Sequence, residues 1–303
     1  MSEENPYRIE TPKRGGVTIR QPPRPTHQVS PKLLERMSKI RNKIVVLSGK
    51  GGVGKSFVTA SLAMALSIKG KRVGVADVDF HGPSIPRMLG VEEEYLGAVM
   101  NEKGETSIIP VENELGVKIV SIEFLLSDRT TPVAWRGAIK LKALQQFLED
   151  VEWGELDYLL LDSPPGTGDD ALNIFQITPI DAVIFVTIPS EVSAHTVAKS
   201  IKFVELIKRE FNKNIKVLGV IENMSYFVCD NGKIYNIFGS GGGEKLAEAL
   251  GVELLGKIPL DPRVSEALDR GENYLQRYPD SLVTQEIMRV TEKIIKILEE
   301  QVT

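Results

Sequence analysis

The chain of 303 residues has a single cysteine, Cys229, so no disulfide can form within it. No apolar run reaches the roughly 20 residues that span a bilayer, and none follows a basic N-terminus as a signal peptide would. These absences make the cytosol the expected location. The net charge of −4 is too slight and of the wrong sign for broad coating of nucleic acid. No fixed-period repeat is present, which removes solenoids and propellers. What remains is ordinary globular composition, 42% hydrophobic and 26% charged, long enough to bury a sizeable core without staples.

The charge is uneven. Residues 1–43 carry ten lysines and arginines against Glu3, Glu4, Glu10 and Glu35. Pro6, Pro12, Pro22, Pro23, Pro25 and Pro31 forbid helix and remove strand donors, so residues 1–31 are expected to form a basic, disordered arm. With Tyr7 its only aromatic, the arm reads as a solvated tail rather than a nucleic-acid binder, and nucleic acid is not an expected partner. Residues 32–303 are expected to form one domain. Ser30 as N-cap and Pro31 in the first turn start a helix bearing Leu33, Leu34, Met37 and Ile40.

The centre of the chain is Gly49-Lys50-Gly51-Gly52-Val53-Gly54-Lys55-Ser56, between the apolar run Ile44–Leu47 and a helical pattern from Phe57 to Lys69. Strand, glycine-rich loop and helix, in the spacing G-x-x-x-x-G-K-[ST], make a phosphate cradle. The glycines let backbone N–H groups crowd a polyphosphate, Lys55 reaches its outer oxygens, and Ser56 offers a hydroxyl to Mg²⁺.

Further units follow. Arg72–Ala76 is a strand delivering Asp77 and Asp79; residues 91–117 read as an excursion containing a hairpin; Val117–Val120 resumes the sheet. Trp135-Arg136-Gly137 opens a helix, and Tyr158–Leu161 is a buried strand ending in Asp162. Strands at Ala182–Ile188, Lys216–Ile221 and Glu253–Ile258 alternate with helices at Val192–Phe211, Pro262–Arg270 and Leu282–Glu300. The pattern predicts an α/β fold with a doubly wound, mainly parallel sheet and a ligand at the strands' carboxyl ends. The last helix carries Ile287, Val290, Ile294, Ile297 and Leu298 in one stripe, with Glu299 and Glu300 where a membrane-surface helix wants lysines, so it is expected to pack on the core.

Phosphoryl transfer to water requires a metal, charge stabilisation and a positioned water. Asp162 is the expected Mg²⁺ partner through its water shell, Asp77 an outer partner of the same metal, and Asp79 the residue that orients water. Gly166, in Asp162-Ser163-Pro164-Pro165-Gly166-Thr167-Gly168-Asp169, is placed to bring an N–H to the terminal phosphate.

Lys50 makes the loop K-G-G-V-G-K-S, which resembles the deviant Walker A loop of the MinD, ParA and Mrp group of ATPases. The segments Asp79–Pro86, Trp135–Gly137, Asp162–Asp169 and Glu222–Cys229 narrow the resemblance, over about Ile40 to Gly271, to the Mrp/ApbC family of P-loop ATPases. The resemblance implies an ATP-hydrolysing homodimer that carries iron–sulfur clusters to client proteins. It further implies that Lys50 reaches the partner's phosphates and that Gly49 to Phe57 hold the nucleotide. By the same resemblance Asn223 recognises adenine, and Pro259 to Asp261 wall the base. One departure stands out. The family's Cys-x-x-Cys is here Cys229-Asp230-Asn231-Gly232, so a dimer offers two thiolates where a four-iron cluster normally takes four. His81 sits in the nucleotide-side segment and His27 in the arm. The reading that competes with a cluster carrier is a nucleotide-gated, protein-binding switch without cluster function; a small-metabolite kinase is poorly supported.

Overall fold

The computed structural model describes residues 29–80, 82–100, 106–125, 138–190, 194–211 and 214–300. The arm up to residue 28, the helix start at Trp135–Gly137 and His81 therefore lie outside the described residues.

Helix α1 (Pro31–Ser38) begins as its sequence dictates, with Ser30 Oγ accepting from the Leu33 amide at 3.1 Å. It leads into β1 (Ile40–Ser48), the cradle loop and α2 (Lys55–Ile68). Then come β2 (Val73–Asp77), the short α3 (Ile85–Met88), the hairpin β3 (Gly97–Met100) and β4 (Thr106–Ile109), β5 (Val111–Glu112) and β6 (Lys118–Ser121). The chain continues through α4 (Ala138–Asp150), β7 (Leu156–Asp162), α5 (Asp169–Ile177), β8 (Ala182–Thr187), α6 (Ala194–Glu210) and β9 (Lys216–Glu222). A small hairpin, β10 (Phe227–Val228) and β11 (Ile234–Tyr235), precedes α7 (Gly242–Leu250) and β12 (Leu254–Lys257). Three helices close it: α8 (Pro262–Asp269), α9 (Tyr274–Arg277) and α10 (Leu282–Glu299).

The main sheet runs β12-β9-β8-β1-β7-β2-β6-β5, and every neighbouring pair is parallel except β5 with β6. In β1, Ile44 and Val46 face the layer of α2 and α10, while Val45 and Leu47 face the layer of α4, α5 and α6. Both faces are covered, which is why the strand reads as an unbroken apolar run. Winding reverses where β1 lies between β7 and β8, and that crevice is where an open parallel sheet holds its ligand.

The hairpin between residues 91 and 117 is present, and α10 packs on α2 and β12 with Ile287, Val290 and Ile294 at most 1% exposed. Four helices have no counterpart in the sequence reading, the one-turn α3 and α9 and the longer α5 and α7. Helix α5 starts directly after the Gly168 turn, with Asp169 and Asp170 meeting the positive end of its dipole. Helix α7 begins inside Gly241-Gly242-Gly243, residues whose intrinsic preference is for loops; tertiary packing holds them helical.

Candidate functional site

The cradle's geometry follows from its glycines. Gly52 and Gly54 have φ of +75° and +76°, a region that side chains with a Cβ avoid, and a Cβ on Gly54 would come within 2.2 Å of Asn223 Nδ2. The loop and the first turn of α2, from Lys50 to Phe57, line a cavity of about 240 Å³ together with Ser48, Asp79, Ser84, Met88 and Pro165. Gly49 packs outward against Thr196, where a Cβ would meet the Thr196 methyl at 2.6 Å.

Beneath the loop, Lys55 Nζ lies 2.7 Å from Asp162 Oδ1, Ser56 Oγ donates to Asp162 Oδ2 at 2.6 Å, and Thr59 Oγ1 donates to Oδ1 at 2.7 Å. Asp162 thus collects an ammonium and two hydroxyls inside a dry site. Thr59 escaped the sequence reading, although its i+4 spacing from Lys55 puts both on one helical face. Ser48 Oγ, which lines the cavity, is buried without a hydrogen-bond partner. A glycine cradle, a buried ammonium and an unpartnered hydroxyl fit a polyphosphate. The Ser56 hydroxyl beside the Asp162 carboxylate is a hard oxygen pair of the kind Mg²⁺ takes.

The parallel register pairs Asp77 with Asp162 across β2 and β7. Burial, and then the charge of Asp162, push the Asp77 carboxyl up to about 8. Its oxygens are engaged by the chain itself: Oδ1 accepts from the Asp79 amide at 3.3 Å, and Oδ2 from the Ser84 and Ile85 amides at 3.1 and 3.2 Å and from Ser121 Oγ. The segment after β2 folds back over this carboxylate, so Asp77 anchors the Asp79 loop. Asp79 itself is 7% exposed and lines the phosphate cavity. Gly166 reaches the loop, but its N–H donates to Ser48 O at 3.1 Å and so is turned to protein in this arrangement.

On the far side, Asn223 is buried, its amide N–H donating to Thr187 O at 2.8 Å and its Nδ2 to Val53 O at 3.0 Å. The side chain expected at the base therefore rests on the phosphate loop. Pro259 to Asp261 line a second cavity of about 540 Å³ with Phe227, Val228 and Arg263. Asp261 caps α8 through the Arg263 amide, pairs with the Arg263 guanidinium and accepts from Tyr274. Burial raises its carboxyl, yet the bonds from Arg263 and Tyr274 outweigh that and hold it below the usual carboxylate range.

Lys50 is exposed and, among the described residues, makes one long contact, 3.4 Å to Ser190 Oγ. Cys229 is a free, half-buried thiol at the turn of the β10–β11 hairpin, where its N–H donates to Lys233 O and its carbonyl accepts from Gly232. Among the described residues no three His, Cys, Asp or Glu side chains gather as a metal cage. Among the same residues no helix is long and apolar enough to cross a membrane.

The model of the NUBPL iron-transfer P-loop NTPases, a ParA-type family, matches residues 39–295. An iron–sulfur cluster carrier protein of Saccharolobus solfataricus is 51% identical over 301 residues, covering 97% of this chain and 98% of its own. A cytosolic Fe–S cluster assembly factor, the NUBP1 homologue of Caenorhabditis briggsae, is 42% identical over 93% of this chain and 89% of its own. Among solved structures, a nucleotide-binding protein in complex with ADP from Archaeoglobus fulgidus superposes with a TM-score of 0.68 at 39% identity, covering 80% of this chain and 92% of that one. The septum site-determining protein MinD of Pyrococcus horikoshii shares the fold, with a TM-score of 0.58 at 22% identity over 86% of this chain and 98% of that one. With a built phosphate cradle and a match across its whole α/β body, this chain belongs to the NUBPL iron-transfer P-loop NTPase family.

Proposed function

We propose that the protein is an ATP-hydrolysing homodimer that carries iron–sulfur clusters to client proteins. The observation that carries the nucleotide half is the constellation Lys55, Ser56, Thr59 and Asp162 under a glycine loop. Lys55 neutralises charge on the transferred phosphoryl oxygens, Ser56 and Asp162 hold Mg²⁺, and Asp79 orients the attacking water. Mg²⁺ held there would offset the charge of the phosphate oxygens. Lys50, exposed and held by one long contact, is free to leave Ser190 and meet the phosphates of a second copy, as an arginine finger does.

The cargo half rests on kinship with proteins named as cluster carriers and on Cys229. One protomer supplies one thiolate, too few for any cluster, so a cluster has to sit between copies, with client thiols or a small thiol completing its ligands. Such a cluster is labile and easily passed on. The lone thiol is also the observation that favours the competing reading, a nucleotide-gated switch. Anaerobic reconstitution with iron, sulfide and thiol separates them. A carrier takes up iron and sulfide and shows a visible charge-transfer band that Cys229→Ala abolishes while ATP hydrolysis continues. No iron or sulfide above background, with ATP supplied or withheld, removes the carrier reading and favours the switch.

A further inference from the structure

Glu222 closes β9 with only 1% of its surface exposed. Its Oε1 accepts from Ser225 Oγ at 2.5 Å and its Oε2 from the Gly243 amide at 2.6 Å, in the first turn of α7. The buried carboxyl thus accepts from a hydroxyl and an amide and faces the positive end of a helix. Two glycines of α7 allow its first turn to come this close. A Cβ on Gly243 would stand 2.8 Å from Glu222 Cβ, and one on Gly242 would stand 2.7 to 2.9 Å from the carbonyl oxygens of Ile188, Pro189 and Ser190.

Two chains of bonds leave this junction. One runs to the next residue, Asn223, and through its side chain to Val53 in the phosphate loop. The other runs through Ser225, whose amide donates to Ile258 O while the Leu260 amide donates to Tyr226 O, so that the stretch leading into the Cys229 hairpin is stitched to the Pro259–Asp261 segment. We propose that Glu222 is a positioning residue that ties Asn223 to the Cys229 hairpin through Ser225, so that nucleotide on the phosphate loop alters the surroundings of the Cys229 thiol. The inference rests on the nucleotide-binding reading above. Contiguity alone does not establish such coupling; a response at one end to ligand at the other does.

Cys229 is the only thiol in the chain, so a maleimide labels one site. Labelling rates are measured on the full-length protein with no nucleotide, with Mg-ADP and with Mg-ATP, and calorimetry on the same samples measures nucleotide binding. Saturating Mg-ATP should change the wild-type rate about fivefold or more, the low end of measured couplings between sites. Ser225→Ala, which deletes one hydroxyl, should still bind Mg-ATP but lose the response. Glu222→Gln, which keeps the shape and removes one acceptor, should lose the response and bind more weakly. Equal wild-type rates with ATP bound and absent overturn the proposal, as does an undiminished response in both variants. A wild type that binds no nucleotide overturns the parent reading and this one together, and calorimetry distinguishes that failure from the others.

Discussion

Lys55 Nζ stands 2.7 Å from Asp162 Oδ1 with both side chains shut off from solvent, so the cradle keeps its phosphate-binding cation paired against the carboxylate below it. Removing one member of a buried pair strands the other, at a cost of about 3–5 kcal/mol. Lys55→Ala should therefore lose Mg-ATP binding in calorimetry and also lower the urea midpoint. Adding Asp162→Asn should restore much of the stability but none of the binding. If the double variant is no more stable than Lys55→Ala, Asp162 was not the stranded charge.

The two hydroxyls on Asp162 act differently. Ser56 is placed to leave for a metal, whereas Thr59 is fully buried with its hydroxyl held between Asp162 Oδ1 and, at 3.0 Å, Lys55 O, so it stays and aims the carboxylate. Thr59→Val keeps the shape and removes that donor. It should weaken the Mg²⁺ dependence of nucleotide binding about tenfold, in the range of losses from mutated outer-shell partners, while Thr59→Ser restores it. Calorimetry with ADP across a Mg²⁺ series measures both. Wild-type Mg²⁺ dependence in Thr59→Val would reduce Thr59 to a helix-packing residue.

Lys50 and Asp79 separate association from chemistry. On the proposed reading, in which its ammonium acts against a partner's phosphates, Lys50→Ala should bind ATP as a monomer and lose ATP-dependent association in light scattering. Asp79→Ala should associate with ATP yet release little phosphate. Wild-type hydrolysis per chain that stays constant from dilute to concentrated protein removes the in-trans role; normal turnover in Asp79→Ala removes the water-orienting one.

Much of this architecture is legible in the chain because its signals are local. Ile44–Leu47, the glycine loop and Ser30-Pro31 each declare their element through periodicity, φ requirement or capping chemistry. What stays hidden depends on contacts between distant segments. Helix α7 starts in glycines because the Glu222 carboxylate and the Ile188–Ser190 carbonyls leave no room for a Cβ. That Asp77 anchors a loop is invisible in its position, because it depends on the Asp79–Ile85 segment folding back onto it. Asp261 sits where a base wall is expected, but Arg263 and Tyr274, beyond it in the chain, take its oxygens.

The last turn of α10 is fastened by Glu299, which pairs with Lys71 at 2.7 Å and accepts from Tyr158 OH at 2.9 Å. The bond from Lys71 holds the Glu299 carboxyl below its usual range against the opposing effect of burial, with Tyr158 helping. A carboxyl whose folded-state value is depressed adds stability that is present above its unfolded value, about 4.3 for glutamate, and is lost as pH falls through the folded one. Glu299→Gln should therefore be less stable than wild type at neutral pH, and the gap should close as pH drops below about 4. Because the group is partly exposed, the neutral-pH gap should also shrink in about 1 M salt, where screening reaches only a few ångströms. Urea midpoints for both proteins across that pH range test the assignment. A gap of constant size down to pH of about 3 would mean that Glu299 holds the helix by packing, since a charge contribution cannot survive its own protonation.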